Sequence, residues 1–391
     1  MPRRRRRRQS GSLLTLIIII IAWGVMYYQT GSDPLGIFPP IGTRASTTAA
    51  PAEAPPPAGG NWWEAYFTDP VNMNDPAQWQ NSIEARLIDK IDAAQTSIHI
   101  AAFEFNLTPV AEALIAARQR GVDVRWVTDD ESGLEADEEP GRGQFAMLTE
   151  AGIEVRSDAR TALMHNKFWI FDGQSVWTGS TNITENGIFD QDNNVIVIQS
   201  TRLAAIYEAE FQEMWDGQFG PRSPSQLAEQ SLTVNGSDIH VVFTSEDPAI
   251  EQAIIPIVNS AQHSIRFLAF SFTDYPLADA IIQRHKSGVD VAGVIEKVGS
   301  DGEGAELKTM FCEQVPVRRD GNSGFMHNKI IVVDERYVIT GSMNYSTSAE
   351  ESNDENVIII DNPEIARLYM QEFNRIWALA TMPEPEKFPC E

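Results

Sequence analysis

Two groups of residues in this chain have the types and spacing to handle a phosphate. The first is His165, Lys167 and Asp172, followed by Gly179, Ser180 and Asn182. The second is His327, Lys329 and Asp334, followed by Gly341, Ser342 and Asn344. Both obey one pattern, H-x-K-x4-D-x6-G-S-x-N. Six fixed positions recur by chance on the order of 10⁻⁸ per starting point, so two copies are a strong signal. His and Lys two apart on a strand share a face. The apolar runs Phe168 to Phe171 and Ile330 to Val333 mark both strands as buried. A buried lysine needs an anionic partner, and a phosphate supplies one. Gly-Ser-x-Asn adds a close backbone approach, a hydroxyl and an amide, all suited to phosphate oxygens. Histidine is the natural nucleophile or proton donor near neutral pH. Two such groups meeting across a pseudo-twofold would form one site with two histidines, two lysines and two asparagines.

The elements that must position these residues repeat with them. Ser97 to Asn106 (SIHIAAFEFN) matches Ser264 to Thr273 (SIRFLAFSFT), and both alternate in the manner of strands. Helical segments follow from Ala111 and from Ala278, each closed by a glycine. Two further strands begin at Val122 and Val289. This strand–helix–strand order predicts α/β layers with largely parallel strands. The period of about 165 residues is too long for a solenoid, so the chain holds a duplicated domain. The 391 residues, at roughly 150 per domain, agree.

On these residues the chain resembles the phospholipase D superfamily, whose members share the HKD signature. The resemblance covers about residues 80 to 380. It implies two α/β/α domains packed about a pseudo-twofold, with the two motifs facing each other. It implies phosphodiester cleavage without metal or other cofactor, through a covalent phosphohistidine. By that resemblance His165, Lys167, Asp172, His327, Lys329 and Asp334 form the catalytic set. One histidine attacks phosphorus and the other protonates the leaving alcohol, then activates water. Lys167, Lys329, Asn182 and Asn344, supported by Ser180 and Ser342, would bind the phosphate oxygens. Asp172 and Asp334 more often hold the fold in this family. Members also carry a Glu-Asn pair after the motif, with the Glu orienting a histidine. Glu355-Asn356 matches, whereas the first half has Asn193-Asn194. Attack by His165 is the expectation from motif order. Glu355, placed beside the histidine of its own half, would instead favour His327 as the base.

Charge and hydropathy locate the chain. It carries a formal −25, yet Arg3 to Arg8 are six successive arginines. Without these, 24 basic residues face 55 acidic ones, which excludes a general-purpose DNA binder but not one local basic cleft. An apolar run, Leu13 to Tyr28, follows the arginines. It predicts a basic cytoplasmic tail (1–12) and a single-pass transmembrane signal anchor (13–29) that leaves the body extracytoplasmic. A cleaved signal peptide is the alternative. A Pro/Ala-rich tether (30–75) comes next, then domain 1 (76–218), a linker (219–237), domain 2 (238–380) and a tail (381–391). Export permits disulfides. Cys312 and Cys390, the only cysteines, could pair or remain buried thiols.

Several residues have bland readings. His99, His240, His263 and His285 stand outside any motif. Arg156 and Arg318 precede the motifs at equal distance and could line the cleft or form strand-end salt bridges with Asp158 and Asp320. Trp62 and Trp63 are better placed against a core than against lipid. Asp129 to Glu139 is expected to be a solvated loop, with no calcium-loop spacing.

Three enzymatic substrates fit. The anchor and the acidic body favour hydrolysis of phospholipid head groups. The compact halves favour a tethered non-specific endonuclease. A cardiolipin-synthase-like phosphatidyl transfer is the third, although such relatives usually have two spans. The non-enzymatic alternative is a phosphate-recognition module. With both half-sites on one chain, a monomer suffices.

Overall fold

Runs rich in Val, Ile and Phe build two mixed sheets. The computed structural model describes residues 61–223, 227 and 230–390. The basic tail, the anchor and the tether up to residue 60 lie outside the described residues. Among the described residues, no helix is long and apolar enough to cross a membrane. The described residues form one compact unit.

The first sheet contains β1 (Trp63–Phe67), β2 (Ser97–Ala102), β3 (Asp123–Thr128), β4 (Glu154–Ser157), β5 (Lys167–Phe171), β6 (Ser175–Gly179) and β7 (Asn194–Gln199). Its order is β1-β7-β6-β5-β2-β3-β4. The second contains β8 (Ser231–Val234), β9 (Ser237–Phe243), β10 (Ser264–Ala269), β11 (Asp290–Ile295), β12 (Val317–Arg319), β13 (Lys329–Val333), β14 (Tyr337–Gly341) and β15 (Asn356–Asp361). Its order is β12-β11-β10-β13-β14-β15-β9-β8, so the duplication predicted from the repeat is present.

The expectation of largely parallel strands is corrected. Only the β2–β3–β4 and β10–β11–β12 pairings are parallel. The motif strands run antiparallel to their neighbours. The turns at 172–174 and 334–336 are too short for a crossover, so each motif strand must return as a hairpin.

Three boundaries also move. β1 lies inside the stretch expected to be tether and pairs with β7, Trp63 opposite Ile198. Its alternation of Trp63, Ala65 and Phe67 was the available signal, and Trp63 packs into the core. β8 and the start of β9 fall inside 219–237. The 381–391 tail is anchored: Thr381 bridges to Arg319, Phe388 is buried, and Cys390 is bonded to Cys312.

Ten helices of the described residues pack on the sheets: α1 (Ile83–Ala93), α2 (Thr108–Gln119), α3 (Gln144–Glu150), α4 (Glu185–Phe189), α5 (Thr201–Trp215), α6 (Ile255–Ser260), α7 (Tyr275–Lys286), α8 (Glu306–Cys312), α9 (Thr347–Glu351) and α10 (Pro363–Leu379). The longest two, α5 and α10, begin at the side-chain caps Ser200 and Asn362. They fill the centre. Tyr207 and Phe211 of α5 and Tyr369 and Phe373 of α10 share one core with Phe168, Ile196, Ile330 and Ile358. The outer faces are covered separately, by residues such as Leu114 in the first half and Ile281 in the second. Tyr207 meets Phe243 edge-on at 5.2 Å and Phe67 meets Tyr369 at 5.1 Å, so the halves interlock through aromatic contacts.

Cys312 and Cys390 are 78 residues apart in sequence, so their bond closes a long loop. By the loop-entropy relation it contributes at most about 4.5 kcal/mol. The double substitution Cys312→Ser and Cys390→Ser should lower the unfolding free energy by about 2–4 kcal/mol in urea titration. An unchanged midpoint would show that the tail is held by packing alone.

Candidate functional site

The two motif strands bring His165, Lys167, His327 and Lys329 to one buried place between the halves. His165 and His327 are each 6% exposed, and Lys167 and Lys329 are 3% and 1% exposed. Each histidine lies just ahead of its strand and is tied by backbone to the opposite half. His165 N–H donates to Asp354 O, and His327 N–H donates to Asp192 O, both at 2.9 Å. Lys167 Nζ donates to His165 O at 2.8 Å, and Lys329 Nζ to His327 O at 2.7 Å. Phe103 and Phe270 close the pair of sites. Each stands edge-on to its histidine, at 4.8 and 4.7 Å, with the lysine ammonium 5.0 and 4.8 Å from the ring centre. These phenylalanines occupy matching places in the repeat, which was the signal for them.

The orienting groups are exchanged between halves. His165 Nδ1 meets Glu355 Oε2 at 2.7 Å. His327 Nδ1 meets Asn193 Oδ1 at 3.0 Å and Ser180 O at 3.1 Å, so it is the donor. The expectation that Glu355 serves the histidine of its own half is therefore corrected. Asn193 and Glu355 stand just ahead of β7 and β15, where the chain faces the opposite half.

Ser180 and Ser342 are also corrected as phosphate ligands. Both are fully buried. Ser180 Oγ donates to Asn193 Oδ1 at 2.7 Å and the Ser342 hydroxyl bonds Glu355. Each serine thus steadies the group that holds the other half's histidine. The glycine before each serine is needed for a close approach to protein rather than to substrate. A Cβ on Gly179 or Gly341, at φ +155° and +139°, would lie 2.2 or 2.1 Å from the carbonyl oxygen of Asn194 or Asn356.

Asn194 and Asn356 take a role that their place after Asn193 and Glu355 in the sequence does not signal. Asn194 Nδ2 donates to Asn328 Oδ1 at 2.8 Å, and Thr340 Oγ1 donates to Asn194 Oδ1 at 2.8 Å. Asn356 Nδ2 donates to Asn166 Oδ1 at 2.9 Å, and Thr178 Oγ1 donates to Asn356 Oδ1 at 2.7 Å. This buried network repeats about the pseudo-twofold.

An amide oxygen only accepts, so Asn182 and Asn344 could hold a phosphate oxygen through Nδ2 alone, and in Asn182 that group is already engaged by Glu104. The Oδ1 of each is buried without a hydrogen-bond partner among the described residues. Asn182 Nδ2 donates to Glu104 Oε2 at 3.0 Å, and Glu104 has no acidic counterpart because Ser271 takes its place.

Electrostatics follow from burial. It pushes both histidines well below the usual imidazole range, and the two lysines reinforce this. Burial lowers Lys167 to about 8, with Glu355, Glu104 and Asp129 pulling it back up. Lys329 is lowered further, by burial and by Lys167. Burial raises Glu355 to about 7 against the pull of Lys167. The site is thus short of negative charge at its centre, which suits one anionic ligand.

Asp172 and Asp334 lie at the far ends of β5 and β13 and do not join this group. Asp172 accepts from the N–H groups of Gln95, Thr96 and Ser97, and Asp334 from those of Gln262, His263 and Ser264. Arg156 and Arg318 lie over Trp215 and Trp377 at 4.0 and 3.9 Å instead of lining the cleft or pairing with Asp158 and Asp320. The stretch after Asp129 is wound into a π-helical turn, Asp130–Glu135, rather than an open loop, and Asp129 itself is buried. His99 is engaged elsewhere, by Glu208 at 2.7 Å.

Residues 87–215 and 254–377 match the family model described as cardiolipin synthase, PLD-like domain. The chain belongs to the phospholipase D superfamily. A stretch of the chain is similar to the mitochondrial cardiolipin hydrolase of Xenopus tropicalis, 34% identical over 131 residues, covering 34% of this chain and 62% of that protein. The chain is also similar to a phospholipase D of Rickettsia conorii, 32% identical over 116 residues, 30% of this chain and 58% of that one. The chain therefore spans less than two thirds of either relative. Among solved structures, phosphatidylserine synthase of Haemophilus influenzae shares the fold. The TM-score is 0.60 at 15% identity, over 78% of this chain and 88% of that one.

In this superfamily member, the motif aspartates should govern stability. Burial opposes the charge of Asp172, but the N–H groups of Thr96, Gln95 and Ser97 outweigh it and hold the carboxyl below its usual range. Asp172→Asn should cost about 1 kcal/mol at neutral pH, since solvent screens this partly exposed group. A depressed folded pKa means the contribution is present above the unfolded value of about 3.9 and fades as pH falls below it. Urea titrations at pH 7 and pH 3 should show the difference from wild type shrinking, while activity per folded molecule is kept. A large loss of activity with unchanged stability would return Asp172 to the site.

Proposed function

We propose that the chain is a phosphodiesterase of the phospholipase D type that hydrolyses phospholipid head-group esters through a phosphohistidine at His165. The observation that carries this reading is the unequal pairing of the two histidines, His165 with the Glu355 carboxylate and His327 with the Asn193 amide. A carboxylate on Nδ1 raises the nucleophilicity of the imidazole and balances the positive charge it gains on attack. An amide oxygen only fixes the ring and its tautomer.

His165 Nε2 attacks phosphorus, forming a P–N bond as the P–O bond to the head-group alcohol breaks. His327 gives its Nε2 proton to that alcohol oxygen. It then takes a proton from water, whose oxygen attacks phosphorus and releases His165 and a phosphatidate. Lys167, Lys329, Asn182 and Asn344 hold the non-bridging oxygens. Burial and the two lysines keep His165 unprotonated and ready to attack. A bound phosphodiester anion neutralises the lysines, which restores the proton affinity of His327. No step requires a metal ion or cofactor.

Three features support a lipid over a nucleic acid. Glu104 and Asp129 face Lys167, so a polyanion meets acidic groups beside the phosphate site. Phe325, 39% exposed, lies 5.8 Å from Phe270, which itself contacts His327, so the site has an apolar lip. The relatives named cardiolipin hydrolase and phospholipase D agree. The N-terminal segment 13–29 anchors the chain to the membrane with its body outside the cytoplasm. The Cys312–Cys390 bond fits that compartment. Both half-sites are on one chain, which acts as a monomer.

The purified full chain should release head group from phosphatidylcholine or cardiolipin vesicles, and His165→Ala should lose that activity. Cleavage of single-stranded DNA alone would replace this reading with a tethered nuclease. With a p-nitrophenyl phosphodiester, which needs no acid to leave, His327→Ala should accumulate a covalent adduct visible by intact mass, and His165→Ala none. The reverse pattern would exchange the two roles.

A further inference from the structure

Glu210 and Glu213 of α5 and Glu246 after β9 place carboxylate oxygens within 4.8 Å of one another. Glu210 is 3% exposed and Glu213 is 6% exposed. Among the described residues, Glu210 Oε2 and Glu246 Oε2 are buried without a hydrogen-bond partner. Burial raises the Glu210 carboxyl well above its usual range, and the strongest charges acting on it, from Glu246, Asp354, Glu213 and Asp247, are all negative. Glu213 Oε2 accepts from Ser223 Oγ at 2.8 Å, whereas a buried carboxylate such as Glu210, with an oxygen left unpaired, needs positive charge beside it.

The other half shows what normally supplies it. Trp215 ends α5 and Trp377 falls near the end of α10, and each carries the same arginine stack. Counting back from these tryptophans, Glu210 matches Glu372, and Glu213 falls where Arg375 stands. Arg375 grips Glu372 through two hydrogen bonds of 2.8 and 2.7 Å and reaches Asp192 at 2.6 Å. The first half thus has a carboxylate in place of the guanidinium. Arg160 is engaged by Asp158 and Asp354 instead.

We infer that Glu210, Glu213 and Glu246 bind a divalent cation of the calcium type, standing where Arg375 stands in the second half. Ca²⁺ takes oxygen ligands at 2.3–2.6 Å, so oxygens on opposite sides of the ion are about 5 Å apart, close to the spacing found. The approach is open and acidic. Glu246 also lines a cavity of 470 Å³ shared with Asp247, Glu251, Asp274 and Glu350, which concentrates cations at its mouth. The site joins a helix of the first half to a loop of the second. Its role is structural.

The full chain, stripped with EDTA and exchanged into metal-free buffer, should be titrated with CaCl2 by calorimetry and thermal unfolding. One high-affinity ion should bind, and Tm should rise by about 3–6 °C at a hundredfold excess over Kd. Glu210→Gln should weaken binding at least tenfold. Glu213→Arg, which copies the Glu372–Arg375 pair, should fold without calcium, bind none at this site and show a Tm indifferent to the ion. Absence of binding to wild type would overturn the inference, since the carboxylates would then be held by shared protons. Undiminished binding in Glu210→Gln with loss in Asp130→Asn would overturn it too, by moving the ion to the cluster of Asp129, Asp130 and Asp158.

Discussion

His165 leans on Glu355 and His327 on Asn193, and both contacts cross the boundary between the two sheets. The rest of the structure is arranged so that this crossing can occur. Asn194 and Asn356 carry the exchange one residue further, into Asn328 and Thr340 on one side and Asn166 and Thr178 on the other. All of these groups are buried, where an unmade hydrogen bond costs about 1–3 kcal/mol. Neither half can satisfy its own polar residues, so docking of the halves completes both the fold and the site. Interlocked aromatic residues on α5 and α10 hold the two sheets at the separation this requires.

The duplication is close to symmetric in its scaffold and unequal in its chemistry. Histidines, lysines, serines, phenylalanines and network asparagines all recur. The differences concentrate where charge matters: Glu355 against Asn193, Glu104 against Ser271, Glu213 against Arg375. The symmetric scaffold sets the two lysines at matching places, each donating to the carbonyl of its own motif histidine. The two histidines have unequal partners, a carboxylate for His165 and an amide for His327, and that is the inequality on which the proposed division of roles rests.

Much of this was legible in the sequence. The paired motif, the repeat of strand and helix, and the buried character of the motif strands follow from residue type and spacing. The direction of the motif strands did not, because a turn of three residues weighs less in pattern reading than the strand–helix–strand order around it. β1 was hidden by its proximity to a proline-rich tether. The exchange of Glu355 and Asn193 was invisible because spacing along the chain says which residues are neighbours within a half and nothing about which half they face. Ser180 and Gly179 were assigned to phosphate on chemical suitability, yet burial committed them to neighbouring backbone and side chains.

The crossed pairing also bears on how such a chain can change over time. A substitution at position 193 alters the environment of position 327, and one at 355 that of 165, across sequence distances of 134 and 190 residues. The two copies left by the duplication are therefore not free to drift separately. A loss in one is felt by the chemistry of the other, and its repair must come from the opposite copy. Inheritance at these positions is joint, so the natural unit of variation is a pair of residues drawn from both copies.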